Sequence, residues 1–189
     1  MIRPLLLVAP LVILIGCSSP VGTYRVDSSS VLEASCSGVD PVRVGAWVDA
    51  LSAAPASDMQ VGMKGGEIQA QLQRDDSSVL YASVIDSGNN TWSGSRSLES
   101  TTTSDALLGA DFSALLENEG VCRFDLTVEA DLNFGEEGFD GVNGQFRATL
   151  DETSGAEPCD IQSCTALIAV GAGRTSSVNP GIQSEEEAE

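Results

Sequence analysis

The stretch Cys-Arg-Phe-Asp-Leu-Thr-Val-Glu-Ala-Asp-Leu-Asn-Phe, residues 122–134, alternates apolar and polar side chains without a break. Alternation with a period of two places one face of a β-strand against a core and the other face in water, as in an antiparallel sheet. The same period returns in residues 142–150 and 68–72. The sequence therefore predicts a fold built on antiparallel strands.

Short segments of turn-forming residues separate these runs. They are Asp-Asp-Ser-Ser at 75–78, Asp-Ser-Gly-Asn-Asn at 86–90 and Asn-Glu-Gly at 118–120. Such short connections favour hairpins between neighbouring strands. We therefore expect one all-β domain, an antiparallel meander of about eight to ten strands that either closes as a barrel or folds as a sandwich. The apolar run 166–170 suits a strand that closes a barrel against the amino-terminal strand.

Two segments leave helix and strand open, so we expect at most one or two short helices. Residues 105–117 place apolar side chains at helical spacing, but 112–117 and 146–151 share the pattern Phe-x-Ala-x-Leu-acid, which favours a strand. Residues 43–53, which include Trp47 and Leu51, carry a similar ambiguity and are the candidate for the one helix.

The amino terminus has the architecture of a secretory signal. Arg3 precedes an almost unbroken apolar run from Leu5 to Ile15, and small Gly16 stands before Cys17. The end of this segment, Leu14-Ile15-Gly16-Cys17, resembles the lipobox of bacterial lipoproteins. The resemblance implies that Cys17 is diacylated, that cleavage follows Gly16, and that the new amino terminus is acylated. The apolar run is too short for the roughly 20 residues of a membrane-spanning helix.

This resemblance divides the chain into four parts. Residues 1–16 are the removed signal peptide, 17–20 the lipidated amino terminus with a short linker, 21–173 the β domain, and 174–189 a disordered acidic tail. The three linker residues after Cys17 reach about 10 Å, so the domain is expected close to the membrane. The resemblance also predicts a cell-envelope location. Because Ser18 rather than aspartate follows Cys17, the resemblance favours the outer membrane if the host is Gram-negative.

The charge of the chain limits its partners. There are 28 acidic and 9 basic residues, a net charge of −19, and loss of Arg3 with the leader makes it −20. Such a surface repels phosphate backbones, which excludes nucleic acid as a partner. It also repels anionic lipids, so acylation must hold the protein at the membrane. The expected partners are the membrane, through the lipid, and an envelope protein.

Four cysteines remain besides Cys17. They are Cys36, Cys122, Cys159 and Cys164. An even number in an exported chain predicts two disulfides, for which three pairings are open. Our preferred pairing joins Cys159 to Cys164 and Cys36 to Cys122. A metal site is the weaker alternative, because the chain has no histidine and no Cys-x-x-Cys pair.

The sequence offers little catalytic chemistry. Without histidine, Ser-His-Asp and Cys-His sites cannot form. Oxygen ligands around glycines make one weak calcium candidate, although its spacing does not fit an EF-hand and a solvated turn is the favoured interpretation. That candidate consists of Asp131, Asn133, Glu136, Glu137 and Asp140. No cofactor is expected.

These observations favour a non-catalytic function. Our leading prediction is a lipid-anchored envelope lipoprotein that acts as a structural or interaction module. The alternative is a lipocalin-like carrier of a small apolar ligand, which rests on fold analogy. A carboxylate-based hydrolase comes third, since many acidic pairs are available and none stands out.

Overall fold

The computed structural model describes residues 19–74, 79–102, 123–135, 139–153 and 162–180. Eight antiparallel strands form a closed barrel in which each strand pairs with its neighbour in sequence and β1 pairs with β8. One helix, α1, lies between β1 and β2. The elements are β1 Gly22–Ser37, α1 Pro41–Ala53, β2 Ala56–Lys64, β3 Glu67–Arg74, β4 Val79–Gly88, β5 Thr91–Thr102, β6 Arg123–Phe134, β7 Gly141–Glu152 and β8 Ser163–Ser176.

This architecture confirms the predicted all-β meander and resolves the choice between barrel and sandwich in favour of the barrel. Residues 43–53, for which the sequence left helix and strand open, lie in the helix α1. The ambiguous segment 105–117 lies outside the described residues. Strand β8 continues to Ser176, so the barrel extends past residue 173, where we had expected the tail to begin.

Strand alternation decides which side chains fill the barrel. The even-numbered residues of β6 from Phe124 to Phe134 are all buried, whereas Asp125, Glu129 and Asp131 between them are exposed. Strands β7 and β8 repeat the pattern, since the cross-strand register pairs interior residues with one another. The result is an apolar interior and a polar outer wall. The largest fully buried side chains are Trp47, Tyr24, Phe124, Phe134, Phe146, Met59, Leu72, Leu80, Leu126 and Leu132.

The two ends of the barrel differ. The end where β1 leads into α1 is called the helix end here, and the opposite end, which carries the β2–β3, β4–β5 and β6–β7 turns, is called the hairpin end. Hairpin turns need residues that accept a left-handed backbone. The β4–β5 turn supplies Asn89 and Asn90 with φ values of 54° and 59°, and the β2–β3 turn supplies Gly65 and Gly66.

The helix end is closed by α1. Asp40 caps the helix by accepting a hydrogen bond from the Val42 backbone N–H at 2.7 Å, and Pro41 begins the first turn, where no internal hydrogen bond is lost. Trp47 and Leu51 are buried in the core. Arg74, only 3% exposed, donates from Nη2 to the carbonyls of Leu51 and Ala54 at 2.7 Å each. Leu51 lies in the last turn of α1 and Ala54 is its C-cap residue, and carbonyls at a helix end have no partner within the helix.

The disulfide at this end corrects our pairing. Cys36 is bonded to Cys164, not to Cys122, and the pairing of Cys159 with Cys164 is therefore also wrong. The physical reason is register: closure of the barrel places β1 beside β8 and sets Cys36 directly opposite Cys164. Register shifts in β1 at Thr23/Tyr24, Val26/Ser28 and Val31/Glu33 precede this pair, and strand alternation alone does not reveal them. Cys122 and Cys159 lie outside the described residues.

Candidate functional site

Two features on the described surface are candidates for function: the amino-terminal segment at the hairpin end, and a groove on the outer wall. The predicted lipidation and cleavage residues, Cys17 and Gly16, lie outside the described residues, which begin at Ser19. No helix within the described ranges is long and apolar enough to cross a membrane.

The chain from Ser19 to Val21 is fastened to the barrel by two side chains. The Tyr24 hydroxyl donates to the Pro20 carbonyl at 2.7 Å. The Arg174 Nη2 donates to the Ser19 carbonyl at 3.3 Å and also to the Val21 carbonyl. Hydrogen bonds from a charged group are stronger than neutral ones. The segment next to the predicted acylation site therefore has a defined position on the hairpin end.

Aromatic rings support this attachment from inside the barrel. The Tyr24 and Phe134 ring centroids are 5.7 Å apart, and Phe134 meets Phe139 edge-on at 5.5 Å. Such tilted and edge-on arrangements are favourable for ring quadrupoles. The Arg174 guanidinium carbon lies 5.9 Å from the centre of the Tyr24 ring. The rings thus close the interior below residues 19–21.

The surroundings of Tyr24 perturb its ionisation. Burial raises the pKa of Tyr24 to about 12, because removal from water disfavours the phenolate. The positive charge of Arg174 lowers this pKa by less than burial raises it, and the negative charge of Asp140 raises it further. Tyr24 therefore stays a neutral hydrogen-bond donor to Pro20 at ordinary pH.

The outer groove crosses four strands, β5 to β8, and has a volume of about 490 Å³. Its lining residues are Ser93, Gly94, Ser95, Glu129, Ala130, Asp131, Gln145, Arg147 and Leu167. Gly94 allows a close approach of β4 and β5 here: a Cβ atom at this position would lie 1.9 Å from the Ser83 carbonyl oxygen. No other residue type fits without moving one of the two strands.

The groove is polar and mainly acidic. Arg147 is its one described basic lining residue, and its guanidinium lies 3.6 Å from a Glu33 carboxylate oxygen and 3.9 Å from one of Glu129. Asp131 adds a further carboxylate. The three side chains of these ion pairs are 39–58% exposed, so the pairs contribute little to stability. The groove offers hydroxyl, amide and carboxylate groups to a polar or basic partner.

The calcium candidate is only partly within the described residues. Asp131 and Asn133 lie on the outer face of β6, and Asn133 donates from its side-chain amide to the Thr91 hydroxyl at 3.1 Å. Asp140 precedes β7, and its backbone carbonyl accepts from Arg174. Glu136 and Glu137 lie outside the described residues, within which no group of three or more acidic, cysteine or histidine side chains is suited to a metal.

Sequence reasoning missed the two arginines that hold chain segments at the barrel ends. Arg74 follows Ala70 and Leu72 at the next interior position of β3. In the same way, Arg174 follows Val170 and Ala172 in β8. A basic residue that continues an apolar alternation is the signal that identifies them, since a buried charge needs partners.

Comparisons of the chain with protein family models, with curated proteins and with solved structures found no match.

Proposed function

We propose that this protein is a lipid-anchored lipoprotein of the cell envelope, in which the β-barrel is a non-catalytic structural or interaction module. The observation that carries the proposal is the sequence Leu14-Ile15-Gly16-Cys17 after an apolar leader. The position of Ser19 supports it, because this residue, two positions after the predicted acylated residue, is already held on the barrel by Arg174. Acyl chains on Cys17 would supply roughly 0.8 kcal/mol per buried methylene, and two or more chains anchor a protein stably.

The anchor is tested by replacing its attachment residue. In cells fed labelled palmitate, Cys17→Ala should abolish the acyl label and leave a precursor that retains its leader. Ser19→Ala is the matched control, since it changes a neighbouring exposed residue, keeps the backbone carbonyl that accepts from Arg174, and removes the exposed 3.3 Å hydrogen bond that the Val21 backbone N–H donates to the Ser19 hydroxyl. Membrane attachment with undiminished label in Cys17→Ala would refute the proposal.

The outer groove is the surface we propose for an envelope partner. The groove is lined by the carboxylates of Glu129 and Asp131, and its arginine, Arg147, is already paired with Glu33 and Glu129, so the complementary partner surface is basic. A photo-cross-linking residue at Gln145, in the groove, should capture the partner in native membranes. The same residue at Gln73, an exposed position on β3, is the control. Equal capture at both positions, or capture only at Gln73, would count against the groove.

A small-ligand carrier is the second candidate, because a closed barrel of eight strands is the size that holds one small ligand in lipocalins. The interior argues for packing instead. The cavity lined by Tyr81, Arg96, Leu98, Leu126 and Val128 has an empty volume of about 170 Å³ and does not admit a water molecule. Ligand pockets usually need about 300 Å³ or more. Organic extraction of the purified protein decides the question: a stoichiometric lipid besides the acyl anchor would support a carrier.

A further inference from the structure

The hairpin end of the barrel combines the attachment of the amino terminus with exposed apolar side chains. Ser19 is held there by Arg174, and at most about 3.6 Å of extended chain per residue separates it from Cys17, two residues away. While Ser19 is held there, the length of the chain alone limits the predicted lipid attachment residue to about 7 Å from Ser19. A tether this short leaves the barrel little freedom to turn its other end toward the bilayer.

Two exposed apolar side chains lie at the same end of the barrel as this attachment. Met63 is 53% exposed and Val178 is 72% exposed. Strand register places them: Gly22 pairs with Val61 and Thr23 pairs with Ser176, so Met63 and Val178 each lie two residues beyond the last pair with β1, at the hairpin end. Large apolar side chains at such exposure gain free energy when a membrane covers them.

Hydrogen bonds connect the segments that carry these two side chains. The Met63 backbone N–H donates to the Asn179 side-chain oxygen at 3.2 Å, and the Asn179 side-chain amide donates to the Met63 carbonyl at 3.5 Å. The amide of Asn179 thus occupies the Met63 backbone groups that a further strand would otherwise pair with. Met63 and Val178 are in this way held close together at the hairpin end.

We infer that the hairpin end faces the lipid bilayer, with Met63 and Val178 in contact with its surface, and that the helix end points away from the membrane. This inference rests on the proposed lipid anchor and adds the orientation of the barrel. The preferred surface is zwitterionic, since the chain carries a large negative charge and anionic headgroups repel it. The outer groove then stands on the flank of the barrel, accessible from the side.

The chain contains its own reporters for this orientation. Of its three methionines, Met1 leaves with the predicted leader, so the processed protein keeps Met59, which is fully buried, and Met63. A third reporter at the helix end is Val42→Met, because Val42 is 80% exposed in the first turn of α1. Twelve residues of β7 span about 40 Å along the strand, or about 30 Å along a tilted barrel axis, so the two ends are well separated.

The experiment measures methionine methyl NMR signals of the acylated protein in phosphatidylcholine vesicles, with and without a nitroxide on the lipid headgroup. Paramagnetic broadening falls with the sixth power of distance, so we expect the Met63 signal to lose several-fold more intensity than those of Met59 and Val42→Met. A Gly/Ser insertion between Ser18 and Ser19 should weaken that loss. The acyl mass of the same sample shows that the anchor is in place.

The outcomes separate the orientation from the anchor. If the protein carries acyl chains but the signal at Val42→Met is broadened as much as that of Met63, or more, the orientation is refuted and the anchor stands. If neither signal is broadened, Met63 and Val178 face something other than lipid, and the inference is again refuted. If the acyl mass is missing, both the proposed anchor and the orientation that rests on it fail.

Discussion

The helix end and the hairpin end of the barrel both use an arginine to hold a chain segment, but they do so with different strength. At the helix end, Arg74 is buried and donates to two carbonyls at the end of α1, and the same end of the barrel carries the covalent Cys36–Cys164 link. At the hairpin end, partly buried Arg174 donates to the carbonyls of Ser19, Val21 and Ser176. The difference indicates that the helix end stabilises the fold, whereas the hairpin end orients the amino terminus. Substitutions at the two ends should therefore have unequal effects.

The largest effect should come from the disulfide. Its two cysteines are 128 residues apart in sequence, and for a loop of that length the chain-entropy relation predicts a stabilisation of about 5 kcal/mol. The variant Cys36→Ala/Cys164→Ala should lose a large part of this stabilisation, measured as the free energy of unfolding in denaturant. A loss below about 1 kcal/mol would show that the β1–β8 ladder closes the barrel without the covalent link.

Peptide mapping without reduction shows which cysteines are linked. It should recover a peptide pair that contains Cys36 and Cys164. Because two cysteines then remain besides Cys17, we predict that Cys122 is linked to Cys159. A cross-link between Cys36 and Cys122 would contradict the register of β1 and β8.

Replacing Arg74 and Arg174 in separate variants tests the comparison of the two barrel ends directly. Arg74→Met removes two charge-assisted hydrogen bonds and leaves the Leu51 and Ala54 carbonyls without that donor, so it should lower the free energy of unfolding by about 3 kcal/mol. Arg174→Met is the matched variant at the hairpin end and should cost about 1–2 kcal/mol, because its site is more exposed. Chemical unfolding measures both values. Equal losses would remove the distinction between the two ends.

Hydrogen exchange shows which part of the fold each arginine substitution destabilises. Amides of α1 should exchange faster in Arg74→Met, whereas Arg174→Met should leave α1 unchanged and affect residues 19–24. Faster exchange of α1 in Arg174→Met would mean that the two ends are coupled.

The last effect is confined to alkaline pH. The folded pKa of Tyr24 is about 12 and its ordinary value is 10.0, so the unfolded chain loses this proton first as pH rises. Tyr24 therefore contributes stability that is fully present below about pH 10 and is lost between pH 10 and about 12. In Tyr81→Phe, which leaves Tyr24 as the last tyrosine, phenolate absorbance of the folded protein should appear only toward pH 12. Ionisation near pH 10 in the folded state would show that Tyr24 is not shielded from water.

Local sequence patterns predicted most of the barrel wall. The alternation of residues 122–134 and the Asn89-Asn90 turn indicate strands and hairpins, because each depends on neighbours in the chain. The pairing of Cys36 with Cys164 was mispredicted because it depends on closure of the barrel and on bulges in β1, which no local pattern contains. The attachment of Ser19 to Arg174 likewise depends on a contact between residues that are distant in sequence. The interior placement of Arg74 and Arg174 was within reach, since each extends an apolar alternation.

The mass of the protein isolated from its native membranes tests the account most directly. We predict an amino-terminal peptide that begins at Cys17 and carries the added mass of fatty acyl chains. A native chain that begins at Met1, with its apolar leader retained and no acyl mass, would contradict it.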